Sequence, residues 1–173
     1  MTDVILTPRL RLVPLTPPLL RAVAGGRLGE VARRLDAVVP PGWEDGVPAP
    51  LRLRQLAADP SEQPWLVRAI VASGRTRAVG SIGFHAPPDA HGRAEIGYDI
   101  VASERRNGYA REAMHALLNW AWSTGRARTC VASASPDNTA SLALIRSFGF
   151  EHVGQQIDEI DGLELVFELP LDR

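Results

Sequence analysis

Two short stretches carry side chains whose types and spacing suit chemistry. The first is Arg105-Arg106-Asn107-Gly108-Tyr109-Ala110, which runs straight into an apolar stripe at Ala110, Ala113, Met114, Leu117, Leu118 and Ala121. That spacing predicts a helix, ending near Gly125. A helix start presents unpaired backbone N–H groups and the positive end of the helix dipole. Gly108 lets the backbone approach a ligand closely, and Arg105, Arg106 and Arg111 add fixed positive charge. Such a nest suits a pyrophosphate. Glu112 is the one acid of the first turn and stands among arginines, so the anion is expected from outside. A surface helix start with incidental arginines is the competing reading.

The second stretch is "RAEIGYDIV", residues 93–101. Its alternation predicts a strand with Ile96, Tyr98 and Ile100 on one face and Glu95, Gly97 and Asp99 on the other. Glu95 can then serve as a general base beside a ligand, or stand as a solvated acid on an open sheet face. Asp99 lies four residues on, about 13 Å away at the usual strand rise, too far to share a proton with it.

The elements that must position these residues follow from pattern. "RLRLVPL" reads as a first strand, and helices are expected in "PPLLRAVAGGRLGEVARRLDAV", interrupted at Gly25-Gly26, and in "LRLRQLAAD". Between the helices "VVPPGWEDGVPAP" is a loop with Trp43 at its tip. "WLVRAIVAS", "AVGSIGFH" and "RAEIGYDIV" form a meander of three strands. After the opening helix come a strand, "RTCVASA", a helix, "SPDNTASLALIRSF", with Gly149 as its stop, and two strands around an Asp161-Gly162 turn. The order implies an α+β fold with a mixed sheet whose crossover pair is parallel.

Composition narrows the function. The 173 residues suit a single domain, 1–173, and the net charge of −1 gives no general pull toward nucleic acid or anionic membrane. Every basic side chain is Arg, since Lys is absent. One cysteine, Cys130, excludes an internal disulfide framework and reads as buried filler; together with an N-terminus that lacks a signal-peptide layout, it points to the cytoplasm. No metal site is expected: His85, Asp89 and His91 lack paired ligand spacing, and the sequence shows no ligand pattern around His115 or His152.

The hexapeptide resembles the acyl-coenzyme A pyrophosphate loop of the GNAT superfamily of N-acyltransferases, Gln/Arg-x-x-Gly-x-Gly/Ala. "TPRLRLVPL", "AEIGYDI" and "NTASLALIRSFGF" are similar to the branch that includes ribosomal-protein N-terminal acetyltransferases, so the likeness extends over most of the chain. It implies a mostly antiparallel central sheet of about seven strands with a splayed parallel pair, flanked by helices. It further implies acetyl-CoA as co-substrate. Ile100 and Val101 would pair with the pantetheine arm, and N–H groups from about Arg106 to Ala110, with Arg105 and Arg111, would hold the pyrophosphate. Asn138 would bond the pantetheine or a water beside it, or else cap the following helix, a role Asp137 fills equally well. Many members place a Tyr where this chain has Ile145, which gives no proton. Ser141 is therefore assigned the thiolate contact, with a hydroxyl bonded back to a helix carbonyl as its alternative.

The reading is an N-acetyltransferase in which a primary amine, on a peptide or a small molecule, attacks acetyl-CoA directly with Glu95 as base. Trp43, His85 and Asp99 are placed on the acceptor side. No nucleic-acid or membrane partner is expected, and a homodimer is compatible with the pattern. The alternative is a non-catalytic acyl-CoA-binding sensor or scaffold module.

Overall fold

The computed structural model describes residues 4–158 and 162–171, which form two compact units, 4–87 with 98–117 and 88–97 with 118–158 and 162–171. In the first unit, β1 (Ile5–Leu6) and β2 (Leu10–Pro14) lead into α1 (Pro17–Ala24), α2 (Leu28–Leu35) and α3 (Ala49–Ala58). Strands β3 (Arg68–Ala72) and β4 (Arg77–Phe84) follow, with the end of β5 (Arg93–Ile100) and the start of α4 (Tyr109–Ser123). Strand order is β1-β2-β3-β4-β5, with antiparallel ladders joining β1 through β4.

Leu10 and Leu12 of β2 are buried while Arg11 and Val13 are half-covered, the alternation read in "RLRLV". Prolines at the start of α1 give up an N–H that the first turn would leave unpaired, and Gly26, at φ +66°, ends that helix where the glycine pair interrupts the pattern. Leu19, Leu20 and Val23 of α1, Val31 and Leu35 of α2, and Leu56 of α3 share one core with Leu66, Val67, Ala69 and Val71.

The second unit holds the start of β5, then β6 (Thr129–Ala134), α5 (Thr139–Ser147), β7 (Glu151–Asp158) and β8 (Gly162–Pro170), in strand order β5-β6-β8-β7. β5 and β6 pair in parallel from Arg93–Ile96 against Thr129–Ala132, and the last four residues of β5 lie outside that ladder. This is the splayed parallel pair of the expected fold. β8 pairs antiparallel with β6 on one side and β7 on the other. The Asp161-Gly162 turn lies partly outside the described residues.

Among the described residues eight strands stand where about seven were expected. The added one is β1, two residues long and too short to show any periodicity. Helix α4 buries Ala113, Met114, Leu117, Leu118 and Ala121, the stripe read from sequence.

Candidate active site

In the first unit, the segment from the end of β5 to α4 is fixed at both ends. Glu104 is buried and forms an ion pair with Arg77 at 2.8 Å. Arg105 Nε donates to the Ile100 carbonyl at 2.9 Å, and its Nη2 stands 4.0 Å from Asp99 Oδ1. Asn107 turns its amide inward, donating to the carbonyls of Glu104 (3.0 Å) and Arg105 (3.3 Å). Two residues take the left-handed conformation, Arg106 at φ +61° and Gly108 at φ +78°. Alternation of this kind turns successive N–H groups to one side and makes an anion nest. The backbone N–H groups of Arg106, Asn107, Gly108, Tyr109 and Ala110 have no acceptor among the described residues, which fits a phosphate-bearing ligand.

A residue not anticipated in the loop clamps it. Arg9, between β1 and β2, donates from Nε to Glu112 Oε2 at 2.6 Å and from Nη1 to the Asn107 carbonyl at 3.1 Å, and lies over the Tyr109 ring. Thr7 Oγ1 and the Arg9 backbone N–H donate to Glu112 Oε1 at 2.6 and 2.9 Å. Partial burial pushes the Glu112 carboxyl upward. The hydrogen bonds from Thr7 and Arg9, with the Arg9 charge, outweigh it and hold the group below the usual carboxylate range. Glu112 thus has its partners, Thr7 and Arg9, within the unit. The signal was Thr7-Pro8-Arg9-Leu10, visible only as part of the resemblance, because the partners lie more than a hundred residues apart.

The strand contribution is narrower than the resemblance implied. Val101 gives its N–H to the Val79 carbonyl at 3.0 Å, and the Ile100 carbonyl is engaged by Arg105. The Val101 carbonyl in turn accepts the Glu104 N–H at 2.8 Å.

Trp43 corrects the acceptor-side assignment. Its side chain is 1% exposed, with Nε1 donating to the Gly80 carbonyl at 2.9 Å. A Pro- and Gly-rich loop offers little packing of its own, so one aromatic pins it to the sheet; the ring belongs to the core and is closed to substrate. Asp99 is half-exposed, and a Cβ at Gly46 would fall 2.5 Å from its Oδ2, so the Trp43 loop does approach this carboxylate. His85 is exposed, and its carbonyl accepts from Arg52 Nη1 (2.8 Å) and Gln55 Nε2 (2.9 Å) on α3.

In the second unit, Glu95 is half-buried on β5, and its Oε1 accepts from Ser133 Oγ on β6 at 2.7 Å. Cys130 on β6 is buried, and that burial, with the nearby Glu95 charge, pushes its thiol far above the ordinary range. A thiol so held is not a nucleophile. Asn138 caps α5, accepting from the Ser141 N–H at 3.1 Å. Ser141 is half-exposed in the first turn, and Ile145, one turn further, is 1% exposed in the core. Asp89 shapes a turn, its Oδ1 accepting from the backbones of His91 (2.8 Å) and Arg93 (2.9 Å). Among the described residues no group of three His, Cys, Asp or Glu is arranged to hold a metal ion.

Comparison with known proteins agrees with this architecture. The family model described as an acetyltransferase (GNAT) domain matches residues 9–151, and the chain belongs to that family. An uncharacterised N-acetyltransferase of Bacillus subtilis strain 168, YoaA, is 38% identical over 76 residues, 44% of this chain and 43% of that protein. The matched stretches span less than half the length of the curated relatives. Among solved structures, the ribosomal-protein-S5-alanine acetyltransferase of Vibrio fischeri superposes with TM-score 0.69 at 12% identity, covering 98% of this chain and 97% of that one. The microcin C7 self-immunity acetyltransferase MccE, solved with acetyl-CoA and AMP, has TM-score 0.66 at 18% identity, covering 95% and 93%. No helix among the described residues is long and apolar enough to cross a membrane.

Proposed function

We propose that the chain is an acetyl-CoA-dependent N-acetyltransferase acting on a primary amine by direct attack. The observation that carries the reading is the row of five N–H groups from Arg106 to Ala110 without an acceptor among the described residues, in a loop where Arg106 and Gly108 are left-handed. Acetyl-CoA supplies the acetyl thioester. The nest and Arg105, Arg106 and Arg111 bind the pyrophosphate; by the resemblance, Ile100 and Val101 are assigned to the pantetheine arm, Asn138 to the pantetheine or a water beside it, and Ser141 to the thiolate.

Glu95 takes the amine proton. Cys130 takes no part, since its buried thiol supports no acyl-cysteine step. With Ile145 in the core and no hydroxyl in its place, the leaving thiolate departs with at most the Ser141 hydroxyl beside it. The acceptor is best an amine of low basicity. At pH 7 roughly a tenth of an α-amine of pKa near 8 is neutral, against well under a thousandth of a lysine side chain. A peptide N-terminus or a small low-pKa amine in a reducing cytoplasm fits. The test is release of free coenzyme A with mass detection of acetylated product across peptides, aminoglycosides, polyamines and amino acids. Tight coenzyme A binding with no product from any amine would favour the sensor or scaffold reading instead.

A further inference from the structure

Within the small-residue run of β6, Ser133 gives the Glu95 carboxylate a defined geometry. Its Oγ donates to Glu95 Oε1 at 2.7 Å. Gln156 on β7 places Nε2 3.3 Å from that same Oγ and 2.9 Å from Glu164 Oε2 on β8. An ionised carboxylate only accepts, so Glu164 requires the nitrogen end of the Gln156 amide and fixes its orientation. The second N–H of that amide is then aimed at Ser133 Oγ, which must accept it. The Ser133 hydrogen is left for Glu95 Oε1. A proton on Oε1 would face that hydrogen, so Oε1 stays an acceptor and protonation is confined to Oε2.

We propose that Ser133, oriented by Gln156 and Glu164, is a positioning residue that favours the ionised form of Glu95 and directs protonation to its Oε2. The inference rests on the assignment of Glu95 as the base. Strand alternation and register put Arg93, Glu151, Asp158, Glu164 and Glu168 on the same sheet face as Glu95. Arg93 is neutralised by Glu168 at 2.6 Å, and Glu164 is engaged by Gln156. Cys130 faces the other way and stays neutral, and Asp99 lies four residues further along β5. The Ser133 hydrogen bond is a contact from β6 through which the charge of Glu95 is tuned.

The experiment compares Ser133→Ala, Ser133→Thr, Gln156→Leu and Glu95→Gln with the wild type. It records kcat/KM against pH for one identified amine and coenzyme A affinity by calorimetry. Ser133→Ala is expected to lose about tenfold in kcat/KM at neutral pH through lost orientation. Its acidic limb should move up by about one pH unit, because a hydrogen bond to the charged form is gone. Coenzyme A affinity should hold, and Ser133→Thr should restore both kinetic features. Gln156 is exposed, so Gln156→Leu leaves the fold intact and should give the same shift at smaller size; it decides the matter if Ser133→Ala does not fold. An alanine profile superimposing on the wild type while Glu95→Gln is crippled overturns the positioning role and leaves the base in place. Full activity in Glu95→Gln overturns both.

Discussion

Replacing Gly108 with valine should weaken coenzyme A binding by about 10- to 100-fold while leaving the protein folded. Gly108 sits at φ +78°, a region that a β-branched residue resists, at a cost of about 1–2 kcal/mol. Space is not the obstacle. The nearest atom to an added Cβ is Arg9 Nη2 at 3.3 Å, the tip of a side chain that is half in solvent and free to shift. The strain is relieved by rotating the backbone out of the left-handed region, which turns the N–H groups of Gly108 and Tyr109 away from their neighbours. Loss of one charge-assisted hydrogen bond to a phosphate is worth about 1.5–3 kcal/mol, which gives the stated range. At roughly 2–4 °C per kcal/mol for a chain of this size, the melting temperature should fall by only a few degrees. Calorimetry with coenzyme A and a melting scan on the same preparation measure both quantities. An affinity within twofold of the wild type, with the fold retained, would refute the pyrophosphate role of the nest.

Three further outcomes are expected. Arg9→Ala removes the Nε bond to Glu112 and the bond to the Asn107 carbonyl, and should destabilise by about 1 kcal/mol, since the guanidinium is half-exposed and its charge screened. Because Glu112 titrates below its ordinary value, its contribution is present above the usual carboxylate range and lost as the pH falls through the lowered one. Denaturation curves of variant and wild type should therefore converge in acid, and a gap that stays constant with pH would contradict the ion pair. Trp43→Phe leaves the Gly80 carbonyl without its donor and the loop underfilled, for a loss of about 2–4 kcal/mol in urea unfolding with little change in KM for the amine. A raised KM with unchanged stability would return Trp43 to the acceptor side. Cys130→Ala should keep full turnover, and native Cys130 should resist alkylation; an isolable acetyl-cysteine would overturn direct transfer.

Local signals carried much of the fold. The alternation in β2 and β5, the stripe of α4, the interruption at Gly25-Gly26 and the stop at Gly149 each depend on neighbours a few residues apart. The anion nest was readable for the same reason, since Gly108 and the arginines are consecutive. What escaped the sequence was set by partners distant along the chain. The loop's place beside the early helices puts Trp43 on the acceptor side, yet the Gly80 carbonyl claims its indole. Arg9 and Thr7 act on Glu112, which nothing in their local pattern betrays. Ser133 looks like one more small strand residue until the parallel register, Glu95 against Val131, brings Glu95 within its reach. Asn138 was ambiguous between ligand contact and cap, and its bond to the Ser141 N–H establishes the cap without excluding the contact.

The central claim is that Glu95 removes the amine proton, and the most direct measurement is kcat/KM against pH for the wild type and Glu95→Gln with one identified acceptor. Glutamine preserves the size of the side chain while removing the base. Turnover should fall by about 100-fold or more at neutral pH with coenzyme A affinity unchanged, and part of the loss should be recovered as rising pH supplies the neutral amine. Two parallel profiles, with the loss equal at every pH, would contradict the claim and leave Glu95 a structural acid.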